Sequence, residues 1–468
     1  MSEITLINFP YQPSLLNFFS ALRDLPYPAL LDSNHQDFSD TRFDILVADP
    51  IARIHPEVSA SAITWHKEPV FSLASTTNPM ELLDELMNEL CQQHWALSAP
   101  KELPFCGGLL GYYGYESGHY VEQLPDTVIH DISLDTLSIG LYGWAVITDH
   151  KSKTTQLVVS PLSEEENIAK VKQRLAQADN YSKPSQEFRL TAPFQSNMTE
   201  EDYAKKFNQV QDYIHAGDCY QVNLAQRFSS QYHGDTFSAY QALRKVCPTP
   251  FSAYLELDTG QSILSHSPER FLLCDSGRIE SKPIKGTIGR GKTLEEDQHN
   301  AQSLMNSAKD RAENLMIVDL LRNDLGRTCE TGSIKVPALF ALESYANVHH
   351  LVSTVEGRID TPEKALQTFQ QSFPGGSITG APKIRSMQII DELEPHQRSV
   401  YCGSVVYFSA NGQMDSSITI RTLVADRGNL HCWAGGGLVA DSTCENEYQE
   451  TFTKVGKLTH TLEQEFLK

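Results

Sequence analysis

Alternation is the feature that most constrains this chain. Runs rich in Val, Ile, Leu, Phe and Tyr at Phe43–Val47, 138–146, 155–159, 253–257, 270–274, 405–409 and 417–424 are separated by stretches with apolar residues every three or four positions. An apolar run of strand length must bury a face of a sheet, and a helical stripe must pack on one. The pattern therefore predicts an α/β or α+β chain with large sheets. No fixed period repeats and no low-complexity tract occurs. At 468 residues, either two domains or one large one is expected.

The best boundary lies at 180–198, a polar segment with two prolines and no helical period. It divides the chain into residues 1–190 and 191–468. A helix is expected to start after Thr199, a good N-cap followed by Glu200, Glu201 and Asp202 at the positive end of the dipole. Tyr203, Phe207, Val210 and Ile214 recur at helical spacing, and Gly217 fits the stop. A strand over 219–228 should follow, with Gln221, Asn223 and Ala225 on one face. Residues 301–322 read as one long helix. Tyr448, Phe452, Val455, Leu458, Leu462 and Phe466 mark an amphipathic helix at the end of the sequence.

The formal net charge is -21, with no basic run to offset it, which argues against a nucleic-acid partner. A site for a carboxylate ligand would have to supply its own positive charge. Nine scattered cysteines with no CxxC pair fit reduced thiols and a cytoplasmic location. The first residues lack the charged and apolar regions of a signal peptide, and no stretch is apolar enough to span a bilayer.

Three apparent motifs fail on context. Gly435-Gly436-Gly437-Leu438-Val439-Ala440 matches a dinucleotide fingerprint but leaves no room for the second strand of the unit. Gly375-Gly376-Ser377-Ile378-Thr379 lacks the last glycine of a nucleophile elbow. His349 and His350 would point to opposite faces of a strand, which makes a poor metal pair. The glycine clusters still need a cause. Gly107-Gly108 reads as a tight turn. The 374–383 loop and the triple glycine read as backbone brought close to an anion. Lys383 closes that loop as a cation, and Arg421 lies in a run that looks half buried, where an arginine is expected to meet a carboxylate.

Among the carboxylates, Glu313 interrupts an apolar helical run. It reads either as an ion pair with Lys309 or as a metal ligand. Glu450 lies off the apolar stripe with Lys454 at i+4, which reads as a surface pair. Two isolated carboxylates would suit a hard cation such as Mg2+. Lys285 alone would be an exposed lysine at a strand end.

The ordered segments GDCYQVNLAQRF, SHSPERF, PIKGT, DRAENLMIVDLLRNDLGR, VHHLVST, FPGGSITGAPKIR, SSITIRT, AGGGLVADS and YQETF resemble the chorismate-binding family, which includes anthranilate, isochorismate and salicylate synthases. The resemblance covers nearly the whole chain and is densest over 199–455. It implies a large α/β sandwich of two antiparallel-rich sheets with outer helices, an active site between the sheets, and two sequence regions interleaved in one fold. It implies Mg2+ held by Glu313 and Glu450, a chorismate pocket lined by His350, Thr379, Gly380, Lys383, Arg421, Gly436 and Gly437, and Glu269 as general acid.

Two positions choose among the family's reactions. Water-using members resemble one another in a lysine base where this chain has Gln221, so ammonia is the expected nucleophile. Anthranilate synthases, the alternative reading, resemble one another in an alanine where this chain has Lys285. A lysine there is similar to the members that attack chorismate covalently at C2 and aminate it at C4, in folate biosynthesis. No glutaminase signature is present, so ammonia is expected from a separate glutamine amidotransferase subunit. Leu30-Leu31-Asp32-Ser33 resembles the tryptophan-binding motif of the family, with Arg42, Phe43, Pro250, Phe251 and Ser252 completing that pocket.

Overall fold

The computed structural model describes residues 3–34, 42–56, 62–73, 76–180, 186–344 and 348–467. Residues 181–185 of the expected boundary segment lie outside this set. Among the described residues two sheets form, one of 13 strands and one of 11. Their ladders are antiparallel throughout, as in the pairings of Gln221–His233 with Asn429–Leu438 and of Gly108–Tyr113 with Ser404–Ser409. The fold is a two-sheet α/β sandwich with helices outside it.

Side-chain alternation builds the layers. In the larger sheet, Ile45, Ala253, Ile263 and Val424 point into the core between the sheets. Their neighbours Leu46, Tyr254, Leu264 and Leu423 point outward, onto a second core shared with the helices Leu16–Leu22, Glu165–Ala176, Thr236–Val246 and Cys444–Phe466. Strands from the first 190 residues pair with later ones in both sheets: Ala29–Asp32 with Phe251–Glu256, and Gly108–Tyr113 with Ser404–Ser409.

Several expected elements are divided. The run 138–146 is two strands, Leu137–Tyr142 and Trp144–Asp149, in different sheets. The run 417–424 likewise splits into Met414–Ile418 and Thr422–Asp426, one in each sheet. Gln261–Ser267 and Arg270–Asp275 make the same passage across Pro268 and Glu269. The helix expected over 301–322 is also two, Leu294–Asn306 and Ala308–Gly326, because Ser307 leaves helical geometry and its hydroxyl caps Asp310 N–H at 3.2 Å. The helix Glu200–Ala216 forms as expected, with Thr199 and Asp202 in a capping box and Gly217 left-handed at the stop.

Candidate active site

Two of the passages between the sheets run side by side, and they organise the site. The Ile418 amide donates to the Glu269 carbonyl at 3.0 Å, and the His266 amide to the Arg421 carbonyl at 3.1 Å. The Ser267 hydroxyl donates to the Ile418 carbonyl at 2.6 Å. Glu269 and Arg421 are thus fixed where neither sheet's ladder claims their side chains. Arg421 takes a left-handed φ of 50°.

Lys285 reaches the same place from the strand Ile284–Gly289. Its pairing with Val348–Arg358 steps from Ile284↔Val352 to Thr287↔His350, so Lys285 and Gly286 together oppose Leu351. This bulge re-aims the lysine, and Gly286 supplies the positive φ of 86° that it needs. The Lys285 ammonium donates to the Ser377 carbonyl at 3.3 Å. The Ser377 hydroxyl donates to Glu269 Oε1, also at 3.3 Å. Ser377 therefore joins the two groups through different atoms, and the sequence reading had given it no role.

Burial shifts both groups toward their neutral forms. Burial lowers the Lys285 pKa, against the opposing pull of Glu269 and Glu313. Burial pushes Glu269 up to about 6, against the opposing pull of Lys285, Ser377, Lys454 and Arg421. His350 is pushed down to about 4 by burial, then by Arg421 beside it, and its Nδ1 bonds the Thr287 hydroxyl at 2.8 Å. His349 points the other way, to Ser344 and Asp297.

The cations divide into two kinds. Lys383 reads in the sequence as a cation closing the glycine loop and, by the resemblance, as part of the chorismate pocket. Its ammonium donates to Asp324 at 2.8 Å, to the Ser372 carbonyl at 2.9 Å and to the Pro374 carbonyl at 3.3 Å, which uses all three N–H groups to tie the loop down. Thr379 is fully buried, and its hydroxyl is spent on the Gly375 carbonyl at 3.1 Å. Arg421 makes no ion pair with a carboxylate among the described residues; the residue is exposed by surface area, yet its guanidinium is desolvated enough to lower its pKa, against the pull of Cys247 and Glu269. Lys454, read earlier as a surface residue, donates to Glu450 at 2.7 Å and to the Gly435 carbonyl at 2.9 Å, and its charge acts on both Lys285 and Glu269.

The glycines also differ from the anion-loop reading. Gly435, Gly436 and Gly437 belong to the strand Asn429–Leu438, and none has a positive φ. They are small because polar side chains cross them: a Cβ on Gly436 would lie 2.5 Å from Glu447 Oε2. Gly380 has a φ of 143°, and a Cβ there would meet the Gln221 carbonyl at 2.1 Å. The buried Arg398, not singled out in the sequence, braces the loop by donating to the Ile378 carbonyl at 3.3 Å and the Asn223 carbonyl at 2.7 Å.

The charges of Glu313 and Glu450 both act on Lys285, and Glu447 shares the helix of Glu450. Burial raises Glu313 and Glu447, and the carboxylates add to it: Glu447 acts on Glu313, and Glu450 on Glu447. This is an oxygen-only donor set with surplus negative charge. No three His, Cys, Asp or Glu side chains among the described residues are grouped to hold a metal ion. Such an open set suits Mg2+, which keeps waters and takes one or two carboxylates plus substrate oxygens.

A separate cavity of about 690 Å³ lies between the sheets, and Ser33, Arg42, Phe43, Pro250, Phe251 and Ser252 all line it. The Ser33 hydroxyl and amide both donate to Asp44, at 2.6 and 2.8 Å. Arg42 pairs with Asp149 at 2.9 Å and lies over the Phe43 ring. Arg270, next to Glu269, lines the same cavity.

Comparison with known proteins agrees with this fold. The model of the chorismate binding enzyme family matches residues 42–460. Aminodeoxychorismate synthase component 1 of Escherichia coli (strain K12) is 46% identical over 454 residues, covering 96% of each chain. The protein of that name from Salmonella typhimurium is 47% identical over 464 residues, covering 98% of each. The crystal structure of anthranilate synthase component I from Streptococcus pneumoniae TIGR4 superposes with a TM-score of 0.76 at 29% identity, covering 91% of this chain and 94% of that one.

Proposed function

This chain belongs to the chorismate binding enzymes, and on that premise we propose that it acts as an aminodeoxychorismate synthase component 1, converting chorismate and ammonia to 4-amino-4-deoxychorismate. The observation that carries the reading is Lys285: a lysine aimed by a bulge into the cavity, its pKa lowered by burial, and linked through Ser377 to a carboxyl group pushed up to about 6.

The chain's own groups then do the following work. Lys285, as the free amine, adds to C2 of the ring while the C4 hydroxyl leaves as water, protonated by Glu269. Ammonia adds at C4, the C2–N bond to Lys285 breaks, and the amine is restored. Arg421, with Lys454 at the cavity mouth, supplies the positive charge that the carboxylates of chorismate require. His350, whose pKa burial pushes down to about 4, is neutral near pH 7 and offers a ring nitrogen without adding charge. Gly436 and Gly437 keep the wall low where the ring lies, and Thr379, Gly380 and Lys383 hold the loop that carries Ser377. Glu313 and Glu450, assisted by Glu447, would hold Mg2+, which when bound neutralises the ring carboxylate.

Ammonia comes from a partner subunit, a glutamine amidotransferase. The relatives are named as a first component, which supports a second, ammonia-supplying one. The 690 Å³ cavity lined by Ser33, Arg42 and Phe43 takes L-tryptophan. A calorimetric titration of protein first freed of ligand by unfolding and refolding should give one site per chain, and no heat would refute that assignment.

Intact-protein mass spectrometry with chorismate and Mg2+, without ammonia, tests the main reading. The expected result is a dehydrated chorismate adduct that maps to Lys285 and is absent in Lys285→Ala. No adduct, with fluorescent anthranilate forming once ammonia is added, would instead make the chain an anthranilate synthase component I.

A further inference from the structure

Arg398 is one of the largest side chains shut away from solvent, at 1% exposure, and it is charged. Taking an ion pair out of water offsets most of its attraction, so stability is a weak reason to keep one there. Geometry gives a better one. Arg398 Nε and Nη2 donate to the two oxygens of Glu394 at 2.8 and 2.6 Å, and Glu394 Oε1 also accepts the Ala225 amide at 2.8 Å. The same head donates from Nη2 to the Asn223 carbonyl at 2.7 Å and from Nη1 to the Ile378 carbonyl at 3.3 Å. Its Cζ lies 4.8 Å from the centre of the Tyr115 ring.

Ile378 follows Ser377, whose carbonyl receives Lys285 and whose hydroxyl serves Glu269. The backbone bonds of the turn that carries them, Gly376–Ile378, are long. The Ile378 amide reaches the Gly375 carbonyl, and the Thr379 amide the Gly376 carbonyl, at 3.4 Å each. Such a turn depends on support from outside, and Arg398 brings it a charged donor. Further along the same segment, the Cys402 amide donates to the Thr419 carbonyl at 2.9 Å. Thr419 adjoins Ile418, whose amide holds the Glu269 carbonyl. Residues 398–402 thus touch both supports of Glu269, the turn that meets its carboxyl group and the passage that holds its backbone.

We propose that Arg398 is a positioning residue for the reaction: by seating the Ile378 carbonyl it fixes Ser377 between Lys285 and Glu269. The inference rests on the amination reading above. Arg398 acts by placement rather than by its field, because Glu394 matches its charge at contact, while the leading charges on Glu269 are Lys285, Lys454 and Arg421. A lysine at this position keeps a charge beside Glu394 but has no planar fork to serve Glu394 and two carbonyls at once.

Arg398→Lys, Ser377→Ala and the double variant are assayed as full chains with chorismate, Mg2+ and saturating ammonium chloride across pH about 5 to 9. In Arg398→Lys the alkaline limb of kcat/KM for chorismate should move upward as far as it does in Ser377→Ala. Its kcat should fall at least about tenfold, with the KM for chorismate changed less than about threefold. The double variant should show no further movement of the limb, because both changes remove the same bond to Glu269. If circular dichroism shows Arg398→Lys unfolded, Glu394→Gln with Arg398→Gln replaces it and strands no buried charge, with the same expected limb. A limb that stays in place while Tm falls makes Arg398 a brace of the fold alone and overturns the proposal. Limb movements that add in the double variant overturn it too, since Arg398 would then act by a route other than Ser377. A wild-type protein that forms no aminated chorismate overturns the reaction assignment and the proposal with it.

Discussion

Replacing Ser377 by alanine isolates one bond in the candidate site. The Ser377 carbonyl, which receives the Lys285 ammonium, is retained, and only the hydroxyl that donates to Glu269 at 3.3 Å is lost. A hydrogen bond to an ionised group contributes about 1.5–3 kcal/mol, and the length of this one places it at the low end, near ~1.5 kcal/mol. The hydroxyl favours the carboxylate, so it holds the pKa down and its removal lets the pKa rise. One unit corresponds to about 1.4 kcal/mol, so Glu269 moves from about 6 to roughly one unit higher. A general acid works only when protonated. The alkaline limb of kcat/KM for chorismate, governed by Glu269 at about 6 in the wild type, should therefore shift upward by about one unit in Ser377→Ala. The assay is initial-rate kinetics at saturating ammonia across pH 5 to 9. A limb that stays in place, or moves down, refutes the link between Ser377 and Glu269.

Other expectations separate binding from support. Arg421→Met should raise the KM for chorismate tenfold or more and leave Tm within a degree or two, because the guanidinium has no carboxylate to strand in the protein. Lys383→Met leaves Asp324 buried and unpaired, so it should cost about 3–5 kcal/mol of stability in urea unfolding; a change in KM with unaltered stability would mean that Lys383 binds substrate. Gly436→Ala places a methyl group 2.5 Å from Glu447 Oε2 and should weaken the Mg2+ dependence of the rate, read as a higher Mg2+ concentration at half-maximal activity. Burial alone pushes Asp84 up to about 6, and its Oδ1 has no partner among the described residues. Its raised pKa favours the folded state only at low pH, and that contribution is lost as pH rises through about 6. Asp84→Asn should therefore be more stable than wild type by up to about 3 kcal/mol at pH 7.5, with the gap closing below about pH 4.

The elements were legible in the sequence where local signals decide them. Thr199, Asp202 and Gly217 bracket their helix because a cap and a left-handed stop act within one turn. The passages between sheets were hidden. The runs 138–146 and 417–424 stay apolar while changing sheets, and burial on either sheet selects the same residues. Ser307 shows a readable signal that the apolar run outweighed, a capping serine with Asp310 three positions on. Within the site, pattern alone singled out Glu313 as a candidate ligand, whereas Lys285 and Glu269 gained their roles only from the resemblance to the chorismate-binding family. Lys383 and Lys454 were ranked by charge and neighbours in sequence, whereas their roles depend on acceptors elsewhere in the chain. Glu447 could have been found from its spacing of three residues before Glu450 on one helix. Ser377 could not, since its two bonds reach residues about a hundred positions away.

Lys285 and Glu269 show why the passage between the sheets is a good place for this chemistry. Each lies within the other's field, and their attraction favours the ion pair: Glu269 raises Lys285, and Lys285 lowers Glu269. Burial acts in the opposite direction on both, and for both it is the larger effect. The result is a desolvated space that shifts the amine and the carboxyl group toward their uncharged forms, the direction that nucleophilic attack with acid-assisted departure of a hydroxyl group requires. On the open face of a sheet, solvation would restore both charges. Inside a ladder, neither side chain could reach a substrate. Between the sheets, the backbone of Glu269 is held by Ile418 and the bulge at Gly286 turns Lys285 inward, so the two groups share a desolvated space that neither strand alone would create.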